Sequence, residues 1–194
     1  SWLHQMPTDK LGHGWNGCMA LMRELSWENG QLMQRPVREI EKYRGEKTEK
    51  TGRLEKGREW KLSSSPCAEM VFRFRNVEEQ TLRISLLKDE EQEFRIEYDG
   101  REQVLRVDAT RSGYSTAGEK ATGSQMTAEA DVPLRDGRLE LRIFVDRCSV
   151  EIFIQDGEKV VTTRVFPKKP GRDVVLSTGG EGCEAEAVLY ELNV

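Results

Sequence analysis

Two carboxylates, Asp146 and Glu151, stand close together in the run RLELRIFVDRCSVEIFIQDGEKVVTTRVF, residues 138–166. A pair of acids is the minimal equipment for cleaving a glycosidic bond, provided the groups meet at about 5 Å or about 6.5–9.5 Å. Here Arg142, Arg147 and Arg164 lie in the same run, and ion pairing with them is the simpler reading of both acids. No Gly-x-Ser-x-Gly, His-Glu-x-x-His or glycine-rich phosphate loop accompanies them. His4 and His13 are the only histidines and fall in a polar, glycine-containing stretch, where they read as ordinary loop residues. The four cysteines, Cys18, Cys67, Cys148 and Cys183, show no Cys-x-x-Cys spacing. They read as free thiols rather than as disulfides or zinc ligands, so neither metal nor cofactor is expected and a cytoplasmic address is favoured.

The elements that position these acids follow from a strict alternation of apolar and polar residues, the period of a half-buried strand. With Arg147-Cys148 as a two-residue connection, Leu141 faces Ile154, Ile143 faces Ile152 and Val145 faces Val150 on one side. The other side sets Arg142 beside Phe153, Phe144 beside Glu151 and Asp146 beside Ser149. A one-residue slip would bury the charged set, so the pattern specifies its own register. Asp156-Gly157 then turns the chain back through a third strand, and the apolar face of this meander requires a second sheet against it. Phe144 and Phe153 on the polar face fit either a sugar-stacking platform or contact with a neighbouring domain.

Strand signals recur every 8 to 12 residues from Glu59 onward. EMVFRFRN, TLRISLLK, EFRIEYD and QVLRVDAT precede the meander, and DVVLST and CEAEAVLYELNV follow it. No helix-sized window keeps a 3.6-residue period. The fold class is therefore all-β, with two antiparallel sheets packed face to face over residues 59–194. Residues 1–44 differ in character: they hold three of the four tryptophans and short strands broken by turns, among them Asn29-Gly30. They read as the cut edge of a larger sheet structure, loose or self-associating by themselves. Residues 45–58, GEKTEKTGRLEKGR, have little to bury beyond Leu54 and read as a solvated charged linker. The formal net charge of −4 gives no reason to expect nucleic acid or an anionic membrane as partner. No apolar run reaches the length of a membrane span.

Three ordered motifs give the chain a family resemblance. Gly14, Trp15 and Gly17, then Arg23, Glu24 and Leu25, then Gln34, Arg35, Pro36 and Val37 resemble the end of the catalytic propeller in glycoside hydrolase family 32. VDATRSGYS, with Arg111, Ser112 and Gly113, resembles a motif of that family's β-sandwich. The meander resembles another through Asp146, Ser149, Val150, Glu151 and Phe153. Met22 departs from a usual proline and Cys148 from a common serine. The family comprises invertases, sucrose-6-phosphate hydrolases, levanases and inulinases, built as a five-bladed propeller followed by a sandwich.

The resemblance implies an all-β chain made of the remnant of the last blade plus the whole sandwich. The family's nucleophile, transition-state and acid/base motifs (Trp-x-Asn-Asp-Pro-Asn-Gly, Arg-Asp-Pro and Glu-Cys) do not occur in it. It thus implies a non-catalytic module whose partners are the catalytic propeller of the same parent and, through that, a fructose-containing saccharide. Homo-oligomers are a further expectation, and a stand-alone carbohydrate-binding or interaction module is the competing one. By the same resemblance Trp2 would be a substrate contact, and the other motif residues would be structural.

Overall fold

The computed structural model describes residues 2–3, 18–114, 126–169 and 172–193. The blade-like part contains β1 (Trp2–Leu3), β2 (Cys18–Met19), β3 (Arg23–Glu28) and β4 (Gln31–Pro36), followed by a 3₁₀ helix, Arg38–Tyr43. Then come β5 (Arg44–Glu55), β6 (Trp60–Ser63), β7 (Ala68–Arg75), β8 (Thr81–Lys88), β9 (Glu93–Asp99) and β10 (Val104–Arg111). The chain closes with β11 (Thr127–Asp131), β12 (Arg138–Asp146), β13 (Ser149–Ile154), β14 (Lys159–Arg164), β15 (Asp173–Thr178) and β16 (Gly182–Leu192).

Two six-stranded antiparallel sheets stack into the sandwich, one ordered β11-β10-β9-β8-β15-β6 and the other β14-β13-β12-β7-β16-β5. β1 pairs with β2, and β3 with β4, as separate two-stranded ribbons. The meander has the register its alternation dictates: Leu141 opposite Ile154, Ile143 opposite Ile152 and Val145 opposite Val150. These residues join Phe72 and Phe74 of β7, Leu82 and Ile84 of β8 and Leu105 of β10 in one buried core. Each strand contributes every second side chain to that layer, as a pleated strand must.

Residues 45–58 are not a linker. Residues 44–55 form the edge strand β5, which pairs with β16 from Gly182 opposite Glu55 to Leu192 opposite Arg44. The sandwich therefore begins at Arg44 rather than at residue 59. An edge strand needs few apolar side chains, and here fully buried Leu54 supplies the inward anchor. Apart from Arg44, most of the remaining charged side chains face water, where lysines and glutamates discourage edge-to-edge association. The backbone hydrogen bonds to β16, invisible in a hydropathy pattern, supply what the side chains lack.

Ile143 is fully buried at the centre of this core. Ile143→Asp should cost about 4 kcal/mol or more, since an unpaired carboxylate would sit among apolar neighbours. A thermal melt reads this directly, and a wild-type midpoint would mean that the inner face is misassigned.

Candidate functional site

The ribbon β3–β4 lies against the outer face of the sheet that contains β12 and β13; two sets of contacts fasten it there, and a third fastens the 3₁₀ helix that follows it. The first centres on Glu151, only 3% exposed. Its Oε1 accepts the Leu21 amide at 2.6 Å, and its Oε2 accepts Arg23 Nη2 at 3.1 Å and the Thr162 hydroxyl at 3.3 Å. Arg23 also donates to Gln34 Oε1 at 3.0 Å and to Thr162 Oγ1 at 2.7 Å. Its guanidinium carbon lies 5.5 Å from the centroid of the Phe153 ring. Phe153 in turn meets Phe144 edge to face, with centroids 5.8 Å apart.

The second set is at the β13–β14 turn. The Gln34 amide donates to the Gly157 carbonyl at 2.9 Å, while Arg35 Nε donates to Asp156 Oδ2 at 2.8 Å. Gly157 has φ +91°, and a Cβ there would lie 2.3 Å from the Gln34 carbonyl oxygen. The turn can approach the ribbon only because this residue is glycine. Arg35 also holds both carboxylate oxygens of Glu28, inside the ribbon. The Arg35 hydrogen bonds, with help from Ser26, bring the Glu28 carboxyl down to about 2.

The third set lies under the 3₁₀ helix. Glu69 of β7 is completely buried, yet both its oxygens are used. Arg44 binds it through Nε and Nη2, each at 2.7 Å, and Arg142 Nε adds a third bond at 2.7 Å. Glu41 accepts from Arg44 and Arg142 at 3.2 and 3.3 Å, tying the helix to the same cluster. The hydrogen bond to Glu69 raises the pKa of Arg44. A buried carboxylate needs compensation of this kind, because desolvation without a partner is prohibitive.

These contacts change several readings of the sequence. Glu151 and Asp146 share the outer face of the meander. The arginine on Glu151 is Arg23, from the blade-like ribbon, and Arg142 is committed to Glu69 and Glu41. Asp146 accepts the Arg147 amide at 2.7 Å and the Cys67 thiol at 3.3 Å. Strand alternation predicts which side chains share a face, but not what packs over it. Phe144 and Phe153 are 6% and 1% exposed, so they are a covered contact surface rather than an open sugar platform. Residues 18–44 dock on the sandwich through these contacts. Glu69 escaped attention because it is one acid among many; only its register opposite Phe144 hints at a covered place.

The remaining motif residues have structural surroundings. Glu24 is exposed and pairs with Arg38 at 3.5 Å. Ser112 is buried, and its hydroxyl and amide both donate to the Ala109 carbonyl, at 2.8 and 3.0 Å. Gly113, at φ +139°, passes so close to Phe166 that a Cβ would lie 2.1 Å from its carbonyl oxygen. Arg111 ends β10, opposite Glu93, and Ser149 opens β13, opposite Asp146. Gly14, Trp15, Gly17, His4 and His13 lie outside the described residues. Trp2 stands in β1 opposite Met19, but its ring lies outside the described side chains. Among the described residues no group of His, Cys, Asp and Glu is arranged to hold a metal, and no helix is long and apolar enough to cross a membrane.

What the fold and junction define is an antiparallel β-sandwich module with a β-ribbon clamped across one sheet by buried arginine–carboxylate contacts. The family model for glycosyl hydrolases family 32, C terminal, matches residues 35–193, and the chain belongs to that family. It is 31% identical over 187 residues to a sucrose-6-phosphate hydrolase of Staphylococcus xylosus, covering 96% of this chain and 36% of that protein. It is 30% identical over 193 residues to a sucrose-6-phosphate hydrolase of Escherichia coli, covering 98% and 38%. The chain thus spans little more than a third of these relatives. Among solved structures, an exo-inulinase from Aspergillus awamori superposes with a TM-score of 0.81 at 23% identity, over 93% of this chain and 37% of that one. A sucrose-6-phosphate hydrolase from Lactobacillus gasseri does so with a TM-score of 0.78 at 22% identity, over 98% and 36%.

Two outcomes check the junction. Glu151→Ala removes the buried carboxylate that the partly buried Arg23 and the Leu21 amide bind and should cost about 3 kcal/mol, with earlier proteolysis of the ribbon. Adding Arg23→Ala should recover part of that loss; strictly additive losses would mean the two groups do not interact. Separately, the Glu28 pKa is depressed, so its contribution is complete above the unfolded value near 4.5 and disappears as pH falls towards about 2. Carboxyl titration by NMR should show this midpoint, returning towards 4.5 in Arg35→Gln.

Proposed function

We propose that this chain is the C-terminal module of a β-fructofuranosidase and performs no hydrolysis of its own. Its task is to complete and support a catalytic propeller that belongs to the same parent polypeptide. The observation that carries this reading is the asymmetry of the blade-like segment. On the sandwich side it is fixed by buried polar contacts. Away from them, Met19, Met22, Leu25 and Trp27 are 68%, 72%, 65% and 73% exposed. Four large apolar side chains left open on so short a segment make a surface that suits a further protein layer.

The length supports the same view, since relatives named sucrose-6-phosphate hydrolase, levanase and raffinose invertase are between two and four times as long as their match to this chain. The parent would cleave terminal β-fructofuranosides of sucrose or fructans with retention, through a covalent fructosyl intermediate on its own Asp, with a Glu as acid/base. The sandwich's share in that chemistry is mechanical. By holding β3–β4 through Glu151 and the Gly157 turn, and the following 3₁₀ helix through the Glu69 cluster, it presents one fixed edge to the propeller. Four cysteines scattered in sequence without a Cys-x-x-Cys spacing favour a reducing compartment for the parent.

Purified chain should release no fructose from sucrose, inulin or levan above a heat-killed control. Mixed with a family 32 propeller stripped of its own sandwich, it should bind and raise that propeller's melting temperature, and Trp27→Ser should weaken binding by about tenfold or more. Turnover by the chain alone, or absence of any association, would overturn the proposal.

A further inference from the structure

Beyond the junction, the outer face of the same sheet holds arginines that propeller support does not use. Its side chains fall into rows that run across the strands. In one row Arg138 of β12 stands opposite Arg75 of β7, Arg75 opposite Glu184 of β16, and Glu184 opposite Arg53 of β5. The neighbouring row sets Glu140 opposite Arg73 and Arg73 opposite Glu186. That second row satisfies itself, since Arg73 binds Glu140 at 2.7 Å and Glu186 at 3.1 Å. The first row does not. Arg53, Arg75, Arg138 and Glu184 are all exposed, and among the described residues none of these four side chains is engaged in a hydrogen bond or an ion pair. Like charges directly opposite each other on neighbouring strands cost stability, and Arg138 against Arg75 is such a pair. Three arginines against one carboxylate leave the row positive.

Both rows line a single groove of about 560 Å³ that crosses β12, β7, β16 and β5. Four strands side by side span roughly 14 Å, the scale of a small molecule rather than of another domain. The one aromatic residue that borders the groove, Phe74, has its side chain buried in the core, so a neutral sugar ring finds nothing to stack on. What the groove offers instead is guanidinium forks, whose planar donors match the oxygens of an anion. Two facing forks suit a dianion with three acceptor oxygens, which a phosphate monoester supplies and a single carboxylate does not. Glu184 is an acceptor without a donor. It repels a bare anion, but it receives the hydroxyl hydrogens of a molecule that carries both kinds of group.

We propose that this groove binds the phosphate monoester of a small polyhydroxylated molecule, with the phosphate between Arg75 and Arg138 and the hydroxyls towards Glu184. The site belongs to the sandwich alone and uses no residue of the ribbon. It therefore stands or falls separately from the support of a propeller.

The test is an NMR titration of the intact chain with glucose 6-phosphate, inorganic phosphate and glucose at low ionic strength. Glucose 6-phosphate should shift resonances of β12, β7, β16 and β5, inorganic phosphate should bind about threefold or more weaker, and glucose should not bind. Arg75→Gln and Arg138→Gln should each weaken the ester about tenfold or more. Both positions are exposed, so both variants should melt near the wild type, which checks their folding. Arg106→Gln, in the other sheet, removes the same charge and should leave affinity unchanged. Glu184→Ala should erase the preference for the ester over inorganic phosphate. Absence of binding, binding of glucose as tight as that of its phosphate, full affinity in either groove variant, an equal loss in Arg106→Gln, or a preference that survives Glu184→Ala would each overturn the proposal.

Discussion

A carboxylate buried beneath another segment of chain must be given partners, and this requirement at Glu151 governs how the two parts of the molecule sit together. The group is almost without solvent, so its charge has to be met by donors from whatever covers it. Those donors are the Leu21 amide and the Arg23 guanidinium, 130 and 128 residues away in sequence. Only one placement of the ribbon supplies both. Hydrophobic contact alone would tolerate sliding; a desolvated carboxylate with directional bonds does not, and Phe144 and Phe153 are covered as a consequence.

Glu69 applies the same constraint at the other end of the covered face. Its two arginines come from β5 and β12, and Glu41 on the 3₁₀ helix closes the network. The outer face of the sheet is thus divided. The half bearing Phe144, Phe153, Glu69 and Glu151 is a built junction. The half bearing Arg73, Glu140 and Glu186 is solvated, and its ion pairs contribute little. Buried ion pairs add less to net stability than their geometry suggests, but they fix orientation.

The sandwich itself depends on a different force. Its inner layer is a continuous apolar core shared by both sheets, and burial of that surface carries the folding free energy. The charged edge strand β5 adds backbone pairing without extending the core. The molecule therefore joins a sandwich with a continuous apolar core to a short segment that is held on by polar contacts and leaves apolar side chains open.

The amino-acid sequence by itself determined the all-β class, the meander and its register, the Asn29-Gly30 and Asp156-Gly157 turns and the family. It could do so because strand alternation and turn chemistry are local, and a period of two leaves one register that buries the apolar set. Residues 45–58 were misread because an edge strand is held by backbone bonds to a distant partner, and their charged side chains look like a linker. Tertiary structure alone decided that Glu151 belongs to Arg23, that Glu69 is buried and that the phenylalanines are covered. The Glu151–Arg23 and Glu69–Arg142 pairings span 128 and 73 residues, and a strand pattern reports which face a side chain takes but not which remote segment lies over that face.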